Sequence, residues 1–149
     1  MSLNLSWILG KQPRSIKNVL IVEDDCMLKP LLARLLYEIN QKAGLKWVTS
    51  VAEAQSALLE EHFDLIVTDI ILEGDETGID LQKYCIENYP DSPVVVVSSL
   101  PKSKIEEQMG YRLDNRVYLS KPIDPQIFNI KVKAAVEHRW FEKMGALLF

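Results

Sequence analysis

Val19-Leu20-Ile21-Val22-Glu23-Asp24-Asp25 decides the fold: four apolar residues without a polar break, stopped abruptly by three acids. An apolar run with no alternation suits a strand buried on both faces, as in a parallel sheet covered by helices. The same figure returns three times. Leu65-Ile66-Val67-Thr68 ends at Asp69, Val94 to Val97 ends at Ser98-Ser99, and Tyr118-Leu119-Ser120 runs into Lys121-Pro122. Helix-like segments separate these runs. In an open parallel α/β sheet, ligand sites form in the crevice beyond the carboxyl ends of the strands. Glu23, Asp24, Asp69, Ser98 and Lys121 would then meet at one place. Three carboxylates, a hydroxyl and an ammonium make a site for a divalent cation and a phosphoryl group, with Asp69 as acceptor.

The remaining sequence supports that frame. Asn18 to Val22 reads as the first strand. A helix from about Cys26 to Asn40 carries Met27, Leu28, Leu31, Leu32, Leu35, Leu36 and Ile39 at helical spacing, with Pro30 tolerated in its first turn. Leu45 to Thr49 is the second strand, and Ser50 with Glu53 forms a capping-box signature for a helix reaching about Glu61. Phe63 to Thr68 is the third strand, Ile70 to Thr77 a loop, and Gly78 to Asn88 a helix closed by Pro90. Pro93 to Ser98 is a valine-rich fourth strand. A polar helix from Lys102 to about Tyr111, a fifth strand from Val117 to Ser120 and a long helix from about Pro125 to Ala146, capped by Asp124, complete the chain. Five strands alternate with five helices, which predicts a doubly wound parallel α/β sheet with right-handed connections.

A length of 149 residues suits one domain. A hydrophobic content of 48% with 26% charged residues is ordinary for a globular chain and disfavours disorder. The net charge of −4 argues against direct nucleic-acid binding, which wants a basic stripe. No apolar stretch reaches membrane-spanning length. Residues 1–17 read as an N-terminal arm; its apolar start lacks the basic residue of a secretory signal. Cys26 and Cys85 follow no metal or redox spacing and are expected to be reduced cytoplasmic thiols. His62 and His138 show no partner pattern and are expected at the surface.

With these clusters in order, the chain resembles the receiver domain of two-component response regulators, the CheY-like, flavodoxin-type fold. The resemblance spans roughly Asn18 to Ala146 and implies strand order 2-1-3-4-5, with residues 18–149 as the receiver and no output domain in this chain. It implies that Asp69 is the phosphoacceptor, Glu23 and Asp24 the acidic pair, Ser98 the hydroxyl residue, Lys121 the lysine and Tyr118 the switch aromatic. It also implies a cis bond before Pro122, Mg2+ as cofactor, and a sensor histidine kinase or histidine phosphotransfer protein as donor.

The expected Mg2+ ligands are Asp24, Asp69 and the backbone carbonyl of Ile71, with Glu23 acting through water. Lys121 would meet one phosphoryl oxygen and Ser98 another. The aspartyl phosphate would then shift the neighbouring loop, the fourth helix and the fifth strand. The chain departs from the family pattern after Asp69: Glu73 stands where a proline is usual, and Gly78 comes one residue late. Ile71 and Leu100 occupy positions that in the family influence hydrolysis of the acyl phosphate. Two apolar side chains there predict slow self-dephosphorylation.

Other readings exist for each feature. The acidic triplet would also suit a helix N-terminus, Asp69 a turn, Ser98 a strand end, and Tyr118 a half-buried edge-strand position. A haloacid-dehalogenase-type phosphatase needs an aspartate two residues after its nucleophile, where this chain has Ile71. A phosphorylation-independent pseudo-receiver remains the alternative, with the intact acids and lysine against it. The apolar tail of Trp140, Phe141, Met144, Leu147, Leu148 and Phe149 suits helix packing, a link to a further domain, or a docking or homodimer surface. That surface would be built with the fourth helix and fifth strand. The expected role is thus a phosphoryl-accepting switch for an unknown downstream protein, not a turnover enzyme.

Overall fold

The computed structural model describes residues 15–110 and 112–148, with side chains for all of these except 109 and 138–148. The arm 1–14, His138 and the apolar tail side chains therefore lie outside the described residues. Strands β1 (Asn18–Val22), β2 (Gly44–Val48), β3 (Leu65–Thr68), β4 (Val94–Ser98) and β5 (Tyr118–Ser120) form one sheet in the order β2-β1-β3-β4-β5. Every neighbouring pair is parallel, with Val22 level with Val48 and Thr68, and Thr68 level with Val96. The helices are α1 (Lys29–Ile39), α2 (Val51–Glu60), α3 (Gly78–Asn88), α4 (Lys102–Met109) and α5 (Pro125–Leu148).

The unbroken apolar runs exist because both sheet faces are covered. Leu20, Val22, Ile66, Val94 and Val96 pack with α2, α3 and Ile105 of α4 on one face. Val19, Ile21, Leu65, Val67, Val95 and Val97 pack with α1 and α5 on the other. Alternate residues of a strand point to opposite faces, so each run supplies two cores.

Three helix starts differ from the sequence reading, and Val117, read as the first residue of the fifth strand, instead closes a 3-10 turn. Cys26–Leu28 form a 3-10 turn, because the Asp25 side chain accepts the Met27 N–H, and the α-helix begins only at Lys29. At the start of α2 the Ser50 hydroxyl accepts from the Glu53 N–H, but Glu53 reaches back to the Thr49 N–H, one residue earlier than a capping box requires. The reciprocal box appears on α3, where Thr77 and Asp80 bond each other's backbone N–H groups.

The start of β1 is anchored. Ile16 is buried, and Asp64 accepts from the Lys17 and Asn18 N–H groups at 2.9 and 3.0 Å. His62 is half-exposed, as its surface reading has it, yet it has a partner, with Nε2 3.4 Å from Asp64 Oδ1.

Candidate phosphoacceptor and metal site

Glu23, Asp24 and Asp69 meet where β1 and β3 end side by side. The Glu23 N–H donates to the Val48 carbonyl and the Asp69 N–H to the Val22 carbonyl, so the ladder itself fixes both backbones. One carboxylate oxygen from each acid lies within 4.8 Å of the other two. Glu23 and Asp69 are buried, whereas Asp24 opens to solvent. Asp69 is held from behind: its Oδ1 accepts the Ile70 N–H at 2.6 Å, and its carbonyl accepts the Thr68 hydroxyl at 2.8 Å.

Lys121 closes the group. Its Nζ is 2.9 Å from Asp69 Oδ2 and 3.2 Å from Glu23 Oε2. The Lys121 N–H donates to the Ser98 carbonyl, and the following Lys121–Pro122 peptide bond is cis. Burial pushes the Glu23 carboxyl above its ordinary pKa and the charge of Asp69 adds to this, while Lys121 and the Asp25 N–H pull it partly back. Burial alone would lower Lys121, but the hydrogen bond and charge of Asp69, helped by Glu23, hold the ammonium above its ordinary value. A crowded carboxylate group with only one internal cation among the described residues is electrostatically short of positive charge. Hard oxygen ligands gathered this closely suit a small divalent cation such as Mg2+. The residues present therefore fit that ion.

Residues 19–133 match the profile of the response regulator receiver domain. The chain belongs to that family. Curated relatives of this receiver domain include the uncharacterized transcriptional regulatory protein YbdJ of Bacillus subtilis, 27% identical over 82% of this chain and 52% of the relative. The response regulator protein PilR of Pseudomonas aeruginosa is 30% identical over 74% of this chain and 24% of its own length. This receiver domain thus spans between a quarter and about half of these two relatives. Among solved structures, the signal receiver domain of an HD domain-containing protein from Pseudomonas fluorescens Pf-5 superposes with a TM-score of 0.71. It covers 89% of this chain and 96% of that one at 23% identity, a likeness of fold.

The remaining residues singled out in the receiver sequence lie along β4 and β5. Ser98 is buried, and its Oγ accepts the Leu100 N–H at 3.2 Å. The Tyr118 hydroxyl donates to the Leu100 carbonyl, and its ring is buried against the same core that Leu100 packs on. Burial holds the Tyr118 phenol above its ordinary pKa. One residue, Leu100, therefore links Ser98 to Tyr118 through its two backbone groups. Its side chain packs on the core, while that of Ile71 is 58% exposed.

Gly78, noted in the sequence as a late loop glycine and helix start, has a use there that pattern reading did not show. A Cβ there would lie 1.9 Å from the Asp69 carbonyl oxygen and 2.8 Å from its carbonyl carbon. The first residue of α3 is thereby pressed against the back of Asp69, and its N–H donates to the Ile70 carbonyl. The loop between them is also tied down. Glu73 forms a parallel bridge with Ser50, and its carboxylate accepts the Thr49 hydroxyl at 3.0 Å.

Proposed function

We propose that this receiver domain accepts a phosphoryl group on Asp69 from a phosphohistidine of a sensor histidine kinase or histidine phosphotransfer protein, and so switches a downstream protein. The observation that carries this reading is the placement of Asp69 Oδ2 at 2.9 Å from Lys121 Nζ, beside Glu23 and Asp24. A carboxylate oxygen of Asp69 attacks phosphorus, and the bond from phosphorus to the donor imidazole nitrogen breaks. The electron pair of that bond returns to the imidazole. Asp24, Asp69 and the Ile71 carbonyl would hold Mg2+ directly, with Glu23 behind a water. When bound, the ion supplies positive charge that offsets the repulsion between two anions.

Lys121 serves the transferred group through its ammonium, which exchanges a carboxylate partner for a phosphoryl oxygen. Ser98 offers the second donor. Turning its hydroxyl toward the phosphoryl group changes what the Leu100 N–H can bond, and the Leu100 carbonyl carries that change to Tyr118. The readout is a shift in population on the surface of α4, β5 and α5. This role suits the cytoplasm, where both cysteines stay reduced. The gathering of Glu23, Asp24, Asp69 and Lys121 in one cluster supports this reading over a pseudo-receiver.

Intact mass after incubation with acetyl phosphate and Mg2+ tests the reading. One added phosphoryl group is expected, absent from Asp69→Asn and from a sample with the metal chelated. No adduct on the parent, under conditions that label another receiver, would overturn it. The same samples report lifetime. Ile71 stands open beside the site without a group to orient water, so the adduct should decay over hours, and decay within seconds would contradict this.

A further inference from the structure

The loop after Asp69 is fastened at several points. The Ile70 N–H donates to Asp69 Oδ1, and the Ile70 side chain is fully buried. Leu72 is buried in the core shared with α2 and α3. Ile71 stands between them with its side chain in solvent, so its backbone is set by its two neighbours. At Glu73 the loop touches another element. Glu73 pairs with Ser50 in a parallel bridge, and its carboxylate accepts the Thr49 hydroxyl at 3.0 Å. Gly74 then takes a φ of +92°, a left-handed conformation that glycine adopts without a steric penalty, and the chain turns away.

Thr49 is the fixed end of that contact. It follows directly on β2, whose last residue, Val48, accepts the Glu23 N–H at 3.0 Å and lies level with Val22 of β1. Val51, two residues later, is buried at the start of α2. The Thr49 N–H donates to Glu53 Oε2 at 2.9 Å, which holds that carboxylate without help from the hydroxyl. A threonine hydroxyl has one proton to give. Glu53 Oε2 is 3.5 Å from Thr49 Oγ and Glu73 Oε2 is 3.0 Å from it, so the proton belongs to Glu73. The end of β2 thus steadies two parts of the site at once: the backbone under Glu23 and the loop that carries Ile71.

We propose that Thr49 and Glu73 form a latch that positions the Ile71 carbonyl for the cation. The inference rests on the reading of the acidic cluster as a Mg2+ site with that carbonyl among its ligands. Neither side chain touches the cation, so both are positioning residues. Mg2+ demands near-ideal octahedral geometry, and a backbone ligand that wanders serves it poorly. The side chain of Ile71 cannot steady its own carbonyl, because it packs on nothing that would hold it; the restraint has to come from the residues on either side. A proline at position 73 would stiffen the loop through its fixed φ. Glutamate gives no such restraint, and the hydrogen bond to Thr49 supplies one from outside the loop. Without the latch, ordering of the carbonyl falls due on binding and is subtracted from affinity.

Calorimetric titration of the full chain and its variants with Mg2+ tests this. Thr49→Val and Glu73→Ala should each weaken binding by about threefold or more. The double variant should bind no worse than the more affected single one, because the same contact is lost in each. Thr49→Ser and Glu73→Gln keep the donor and the acceptor and should bind within about twofold of the parent. Glu76→Ala removes an exposed acid from the same loop and should also stay close to the parent, which accounts for loss of charge alone. Labelling by acetyl phosphate should fall in Thr49→Val and Glu73→Ala at limiting Mg2+ and recover at saturating Mg2+. Thermal melts without metal check that each variant is folded. A parent that binds Mg2+ no better than Thr49→Val and Glu73→Ala would overturn the latch and leave the metal site standing. Equal weakening by Glu73→Gln and Glu73→Ala would also overturn it, making the effect one of charge. A parent that binds no Mg2+ at all would overturn the site reading and the latch together.

Discussion

Lys121 and Glu23 pull the metal-free site in opposite directions. Lys121 is the only cation bonded to the two buried carboxylates among the described residues. Lys121→Ala should cost about 2 kcal/mol in a denaturant titration, because it leaves buried negative charge unpaired. Adding Glu23→Gln to that variant should recover part of the loss. Glu23 alone behaves differently. Its folded pKa is raised, so its stabilising contribution is present below the ordinary value of 4.5 and lost as pH rises through the folded value. The ionised form of this side chain therefore works against the fold. Glu23→Gln should melt at higher temperature than the parent without Mg2+, the gap closing as pH falls below 4.5. Calorimetry should show weaker Mg2+ binding by the same variant. These site residues were legible in the sequence because each sits at the end of an apolar run. Which one Lys121 bonds, and the Ser98–Leu100–Tyr118 link, were not, because they depend on loop paths that no spacing encodes.

At the scale of elements, α3 shows how a helix start can serve a side chain on another element. Gly78→Ala would place a methyl group against the Asp69 backbone, where neither partner is a flexible side-chain tip. The expected loss is about 3 kcal/mol, measured by urea unfolding, together with slower labelling by acetyl phosphate. The limits of α3 could be read directly from Gly78 and Pro90, but this contact could not, because a glycine's use is visible only once its neighbour is placed. The same holds for the capping boxes. Ser50 and Glu53 satisfy the pattern on paper, yet Thr49 takes the second bond, its N–H donating to the Glu53 carboxylate at 2.9 Å. Thr77 and Asp80 form the box with a shorter acid, a variant that the usual glutamate pattern misses. The 3-10 turn after β1 follows from Asp25 capping its own second neighbour, a local competition that apolar periodicity does not register.

Over the whole molecule, the layered parallel core was readable from five apolar runs and their alternation with helices, whereas the sheet order followed from the family resemblance. The two faces of each strand then follow from chain geometry. Cys85 measures the tightness of that core. It is fully buried, and its thiol is pushed up to about 12 by burial alone. Because the folded value lies above the unfolded one, its contribution is intact below pH 9 and lost as pH rises through about 12. Across that window stability should fall by about 1.4 kcal/mol per pH unit from this group. At neutral pH, iodoacetamide should modify exposed Cys26 quickly and reach Cys85 only through global opening, as peptide mass mapping would show. Tyr118 spans the sheet. Its hydroxyl meets Leu100 on the side of α2, α3 and α4, while its carbonyl takes the Lys131 ammonium of α5 from the other side. News of a phosphoryl group that reaches Leu100 would then be read on both faces of the domain, through one residue with a contact in each.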